Sequence, residues 1–415
     1  MCSPGRHILL LPLFCLVGCP DRDSNINGIE PSGESAYDEI NHLRSLGYIG
    51  VTDKTVDPNL RGVVKIDPKR AGPGCSLYCN RTMCSAELID LRGDVLKTWR
   101  VSDGWHWENG ELLDNGDLLV VGSDRVPGKS GEIVDHARYL MRLSWEGKTV
   151  WKRMMLTHHD VEVTPQDRIL LLTFKYRRID QISSDIDVRD DYLTLMSHNG
   201  DVLEERSLYE AFAANPDEVT IQPVAPNTKS ERMQIDLFHS NSIEWMHWEH
   251  LFDKHTIYAS TNVLICSRHQ DTVAIIDWKT NRLLWAWGQG QIDGPHDAQM
   301  LENGHILLFD NGMARGWSRV IELDPLTKKI VWEYRAPNRT DFYTRARGAC
   351  QRLPNGNTLV TDSDSGQGFE ITADGEIVWE FLNPNITPEQ KRITIFRMKR
   401  YENRYIEAIL RRSRK

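Results

Sequence analysis

Residues Trp285–Trp332 read WAWGQGQIDGPHDAQMLENGHILLFDNGMARGWSRVIELDPLTKKIVW, and this stretch decides the fold. A loop leads into a short apolar strand from Ala298 to Leu301, which turns at Asn303-Gly304 and returns from Ile306 to Phe309. Strands from Val320 to Leu323 and from Ile330 to Tyr334 follow. The Asn-Gly pair supplies the positive φ angles of a tight hairpin, and the closing Trp is an apolar body to bury against a neighbour. Four short antiparallel strands of this kind form one propeller blade, and one blade cannot bury both of its faces alone.

Copies lie on both sides. The hairpin recurs at Asn115-Gly116 and Asn355-Gly356, with Gln166-Asp167 as a degenerate form. The outer-strand ending recurs up to Trp99, Trp151, Trp285, Trp332 and Trp379, and once without a Trp at Glu204. About six units at blade-length spacing predict an all-β, six-bladed β-propeller over 61–385.

The ends differ in composition. Arg6 and His7 precede an apolar run from Ile8 to Val17, too short for a stable bilayer anchor and placed as the core of a signal peptide. Leu16-Val17-Gly18-Cys19 resembles a lipoprotein signal box, so 1–18 is expected to be removed and Cys19 acylated, with an ordinary secretory signal as the alternative. The expected address is the bacterial cell envelope, facing the periplasm or at the outer membrane. Segment 19–60 reads as a tether with a short amphipathic helix from Tyr37 to Leu46. Segment 386–415 is a basic tail that reads as a helix or a closing strand, its charges a solvated face. Blade one is expected around Leu77 to Trp99, completed by a strand from Val63 to Ile66. The long stretch from Leu208 to Leu237 is a lid candidate.

The 415 residues are 26% charged and carry a net charge of −9, a soluble balance without the basic excess that nucleic acid would require. After Cys19 five cysteines remain, Cys75, Cys79, Cys84, Cys266 and Cys350. Export makes a disulfide within the first three the expectation, ahead of a metal cluster that lacks a second ligand pair.

Equal positions in equal blades meet around one hole. Counting back from each hairpin places Glu108, His159, Asn241, His296 and Gly348 at the start of the innermost strands. His239 lies two residues before Asn241, on the same side by strand alternation, and Arg268 ends the second strand of blade four. Imidazoles with a guanidinium suit an anionic, oxygen-rich group: Arg binds two oxygens, His and Asn donate to others, and a further His serves as nucleophile or proton carrier. His158 is expected to point away from the channel, and Tyr343, Arg345 and Arg347 to approach its mouth or the surface. The cluster Trp245, His247, Trp248, Glu249, His250 and His255 lacks a zinc motif, so no metal is assigned.

DLFHSNSIEW from Asp236, LICSRHQDTVAIIDWKTNRLLWAWG from Leu264, GPHDAQMLENGHILLFDNG from Gly294 and RGACQRLPNGNTLVTDSDSGQGFEITADGEIVWEF from Arg347 resemble the bacterial arylsulfate sulfotransferase family, six-bladed propellers. The likeness runs from about Cys75 to Asn383. It implies transfer of a sulfuryl group from a phenolic sulfate ester to a phenol, without a nucleotide donor and without a cofactor. It also implies a transiently sulfated His296, with His239 as acid and base. Arg268, Asn241 and His159 would then stabilise the equatorial oxygens. The best-known members carry a separate N-terminal β domain that supports dimerisation, where this chain reads as tether and helix. The rival readings are a non-catalytic propeller binding a sulfated or anionic ligand, and a quinone-dependent dehydrogenase; the latter lacks an adjacent Cys pair and a calcium cluster.

Overall fold

The hairpin turns show how the repeat is built. In the computed structural model, which describes residues 50–102, 104–127, 133–228 and 232–413, only the Gly of each Asn-Gly pair takes a positive φ: +88° at Gly116, +89° at Gly304 and +85° at Gly356. The Asn contributes otherwise: Asn303 Oδ1 accepts the His305 N–H at 2.9 Å, and Asn115 and Asn355 repeat the bond. The two-position expectation is thus corrected to one αL residue plus a side-chain turn. In the degenerate copy Asp167 takes the αL position itself, with φ +56°.

These hairpins build six antiparallel sheets, so the chain is a six-bladed β-propeller. Blade five runs His296–Met300, Ile306–Asp310, Arg319–Asp324, Lys329–Tyr334 from the hole outward. Blade one is closed by the tail: Ile395–Tyr401 is its innermost strand, paired with Cys75–Asn80. The strand Gly62–Ile66, expected in blade one, instead adds a fifth, outer strand to blade six by pairing with Ile377–Leu382. Both ends of the described chain therefore bind the ring shut. A helix, Asn403–Ser413, then packs Ile406 and Ile409 into the core of blades one and two.

Adjacent blades are latched at the rim. The indole N–H of Trp99 donates to Ser144 O, Trp285 to Pro325 O, Trp332 to Ala373 O and Trp379 to Leu91 O, each at 2.8–3.0 Å. In the other two blades an arginine makes the latch, in blade two beside a Trp151 that is retained and in blade three where the Trp is missing. Arg153 Nε reaches Gly200 O at 3.1 Å, and Arg206 Nε reaches Trp278 O at 2.9 Å. The Trp missing at Glu204 is thus replaced by a donor two residues on.

A strand lining the hole has no neighbour on its inner edge, so its N–H groups need acceptors. Polar side chains of the preceding blade supply them. Asp160 accepts from Ile243 N at 3.0 Å, Ser242 from Ala298 N at 2.9 Å, and Asp297 from Cys350 N at 2.8 Å. One layer further along, Glu162 accepts from Trp245 N and Glu244 from Met300 N. Arg397 of the closing strand crosses the hole to Asp160 at 2.7 Å and Asp297 at 2.9 Å, tying blades one, three and five. Burial pushes the Glu244 carboxyl up to about 8. Folding then favours the protonated form, and the stability it contributes is lost as pH climbs from the ordinary carboxyl range toward 8. Glu244→Gln keeps the acceptor without the charge, so the variant's melting temperature should fall less than the wild type's between about pH 5 and about pH 9.

The five described cysteines are buried thiols, so the expected disulfide is not formed. Cys79 and Cys84 lie in the core of blades one and two, where burial pushes the Cys79 thiol up to about 12. The lid candidate is packed down: Leu208, Ala211, Phe212, Val219 and Leu237 join the core of blades three and four. Cys19 and the Tyr37–Leu46 segment lie outside the described residues. Among the described residues no helix is long and apolar enough to cross a membrane.

Candidate active site

The hole narrows at one end to a cleft lined by His159, His239, Arg268 and His296. These four sequence-assigned residues meet although 137 positions separate the first from the last (296 − 159). Arg81, Glu108, Arg347 and Phe396 complete the lining. A larger cavity of ≈ 1110 Å³ opens at the other end of the hole, beside Glu111, Glu162, Glu244 and Lys399. It holds none of the imidazoles that line the cleft.

Bulges aim these side chains. His159 has φ +57°, His239 +47° and Asp297 +53°, and the strand register shifts beside each. An αL residue at the start of an inner strand breaks the alternation and turns a side chain toward the axis. This corrects the expectation for Asn241. With His239 in αL, the two no longer share a side, and Asn241 does not line the cleft. Its amide donates to Pro295 O at 2.8 Å and accepts from Asp297 N at 3.2 Å, so it holds the backbone on both sides of His296.

His296 is locked in one tautomer. Asn311 donates both amide protons, to Thr344 O at 2.8 Å and to Arg347 O at 2.6 Å, which leaves its Oδ1 to accept from His296 Nδ1 at 2.8 Å. Gly294 O lies 3.0 Å from the same Nδ1. Nε2 therefore carries the lone pair, which rests on the Arg347 N–H at 3.1 Å. Burial, and then the Arg268 charge, hold this imidazole well below the usual histidine range, so it is neutral at neutral pH.

His159 stands 2.9 Å, Nδ1 to Nδ1, from His158, which does not line the cleft, in keeping with the expectation, and backs it from behind. His158 Nε2 faces Asp191 Oδ1 at 3.3 Å. Burial lowers both of these imidazoles. Glu108 fixes the His159 backbone by accepting its N–H at 2.5 Å, and His159, His106 and Arg138 hold this carboxyl well below its ordinary range against the effect of burial.

Arg268 is fully buried, with Nη2 3.8 Å from Met313 Sδ. Arg81 was missed by sequence reasoning, although it follows the second strand of blade one as Arg268 follows that of blade four. The signal was present but unreadable while the blade's inner strand was sought upstream. Arg347 also reaches the cleft, its guanidinium held by Asp364 at 2.9 Å and Thr394 at 3.1 Å. Arg345 pairs with Asp53 instead. The histidines after Trp245 do not converge: His250 bonds Glu302 O and His247 bonds Trp245 O.

Among the described residues Asp236, His239 and His269 form the group whose ligand atoms, within 4.8 Å of one another, could share an ion. Asp236 and His239 are 2.5 Å apart, a separation for a shared proton rather than for two ligands each about 2 Å from a metal. Arg189, 3.3 Å from the same carboxylate, further opposes a cation there.

Fold and cleft together give a propeller whose axis carries three imidazoles beside arginines, a set of side chains that suits an anionic group. The arylsulfotransferase (ASST) family model matches residues 133–384, more than half of the chain, and the protein belongs to that family. It is accordingly an aryl sulfotransferase in general class. No curated protein matches the chain. Among solved structures, it resembles a protein of unknown function from Bacteroides caccae at 14% identity and TM-score 0.48, over 79% of this chain and 98% of that one. The propeller domain of Myceliophteria thermophila Cps50 (Swd1) gives 12% and 0.44, over 81% and 90%. A catalytically inactive virginiamycin B lyase from Staphylococcus aureus gives 9% and 0.43, over 77% and 87%.

Proposed function

We propose that the protein moves a sulfuryl group from an aryl sulfate to a phenol in two displacements through a sulfated His296, with no nucleotide donor. In the first, His296 Nε2 attacks sulfur, the S–O(aryl) bond breaks, and the departing oxygen takes a proton from His239. In the second, the acceptor phenol gives its proton to His239 as its oxygen attacks sulfur, and the N–S bond breaks. Arg268 and His159 face the sulfuryl oxygens throughout, and Asn241 acts by holding the His296 turn.

The observation that carries this reading is the Asn311 lock, which makes Nε2 the lone-pair nitrogen of a neutral His296 in a cleft lined by Arg268; the Arg347 N–H that it accepts here has to be given up for attack on sulfur. The test is intact-mass analysis after mixing with an aryl sulfate and no acceptor. A sulfuryl adduct on His296, discharged by added phenol, is expected. Saturable binding with no adduct from any donor in a broad panel would overturn the reading in favour of an anion-binding propeller.

We also infer export and lipid attachment through Cys19, from the apolar run that precedes it. Cys19→Ser should abolish fatty-acid incorporation and release the protein from the membrane fraction. Retention in that fraction without label would sink this inference.

A further inference from the structure

We propose that Asp236 is the positioning residue for His239, fixing its tautomer with the proton on Nδ1 so that Nε2 is the nitrogen that takes and returns the phenol proton, and that the segment from Leu208 to Asp236 brings that carboxylate under the cleft. The inference rests on the reading above for its chemistry but not for its geometry.

The pairing is built from several directions. Asp236 Oδ2 stands 2.5 Å from His239 Nδ1, and both residues are buried. The carboxylate is ionised: although burial opposes this, Arg189 and then His239 hold it well below the ordinary range. An ionised carboxylate only accepts, so the proton of this bond sits on Nδ1 of the imidazole. The ring itself is confined between His159, centroids 4.9 Å apart, and His269, 4.6 Å apart. His269 is fixed by the same short segment, since its Nδ1 donates to the Asp236 backbone carbonyl at 2.6 Å.

The chain goes to some length to place this carboxylate. After Ser207 it leaves blade three, forms the turn of helix Leu208–Ala213, and returns as Gln234–Asp236, which pairs in parallel with Asp187–Arg189 of the same blade's third strand. That pairing sets Asp236 opposite Arg189, whose Nη1 reaches its carboxylate at 3.3 Å. The αL conformation of His239 then folds the ring back over a residue three positions earlier. An L-residue enters αL at a cost, and the conformation persists where the surroundings determine it.

The consequence is a relay of fixed direction. With Nδ1–H on Asp236, Nε2 can take the acceptor phenol's proton, and the resulting imidazolium is stabilised by the carboxylate before it returns a proton to the departing oxygen in the next cycle. Arg189 Nη1 and His239 Nδ1 meet the same oxygen, Oδ2, so an asparagine there keeps an acceptor for both, whereas Asp236→Ala removes it. The tautomer should then flip to Nε2–H, which cannot accept a proton.

The experiment uses the full chain, uniformly 15N-labelled at histidine, with His239 assigned by its loss in His239→Gln. Long-range 15N–1H spectra, recorded above the pH at which His239 gives up its second proton, should show Nδ1–H in the wild type and Nε2–H in Asp236→Ala, with Asp236→Glu keeping the wild-type pattern. In parallel, kcat for Asp236→Ala should fall by about 10²- to 10⁴-fold with KM little changed, and the loss should be larger for donors whose phenol is a poor leaving group. A merely structural residue would depress all donors alike. An unchanged tautomer in Asp236→Ala beside an active wild type overturns the inference. A flipped tautomer in a protein that transfers no sulfuryl group supports the pairing and overturns only the proposed chemistry.

Discussion

His296→Ala is expected to abolish the sulfuryl adduct and to lower transfer by about 10⁴-fold or more, as loss of a nucleophile does where residues act as a unit. The reason is specific to this ring. In a cleft lined by three imidazoles, His296 is the one whose Nδ1 is fixed by an amide with both of its protons already committed to backbone carbonyls. Alanine also leaves Asn311 Oδ1 and the Arg347 N–H without that partner, and unsatisfied buried groups cost about 1–3 kcal/mol each. His296→Gln is therefore measured beside it, since glutamine refills part of the space and can accept or donate. Both variants should lose the adduct while their melting curves differ. Full transfer activity in a folded His296→Gln would remove the histidine from the mechanism.

Arg268→Lys should lower kcat by about 10²- to 10³-fold, the usual effect of removing one preorganised donor from developing charge. Lysine keeps the charge but not the planar fork that meets two oxygens at once. The arginine has a second effect, because its charge is the largest cause after burial of the lowered His296 basicity. Arg268→Ala removes that repulsion, so the His296 imidazolium becomes easier to form. The acid limb of adduct formation should then move to higher pH, whereas in the wild type His296 stays neutral and reactive until pH falls well below the ordinary histidine range. Rapid-quench measurement of adduct against pH separates the two effects. An acid limb at the same pH in Arg268→Ala and wild type would show that the guanidinium does not face His296.

Much of this molecule is written in local patterns. Turn chemistry at Asn303-Gly304 and its copies, alternating apolar strands, and the recurring outer Trp determine a ring of blades, because each is a short-range signal with a fixed period. The same period placed His159, His239, Arg268 and His296 around one axis without any coordinates.

What tertiary structure alone decided is how the ring closes and which way each side chain faces. Ile395–Tyr401 completes blade one from the far end of the chain, a pairing with no local signature, and Arg81 became visible as a cleft residue only with it. Asn241 turned to the backbone because His239 enters αL, and strand alternation read from sequence assumes extended residues throughout. Asp236 and Asn311 had no role assigned from the sequence, and His158 was read only as facing away from the channel, since a residue that fixes a neighbour's proton has no spacing rule of its own. Position around the hole follows from repetition along the chain, whereas the tautomer of each imidazole follows from contacts that only the folded ring brings within hydrogen-bond distance.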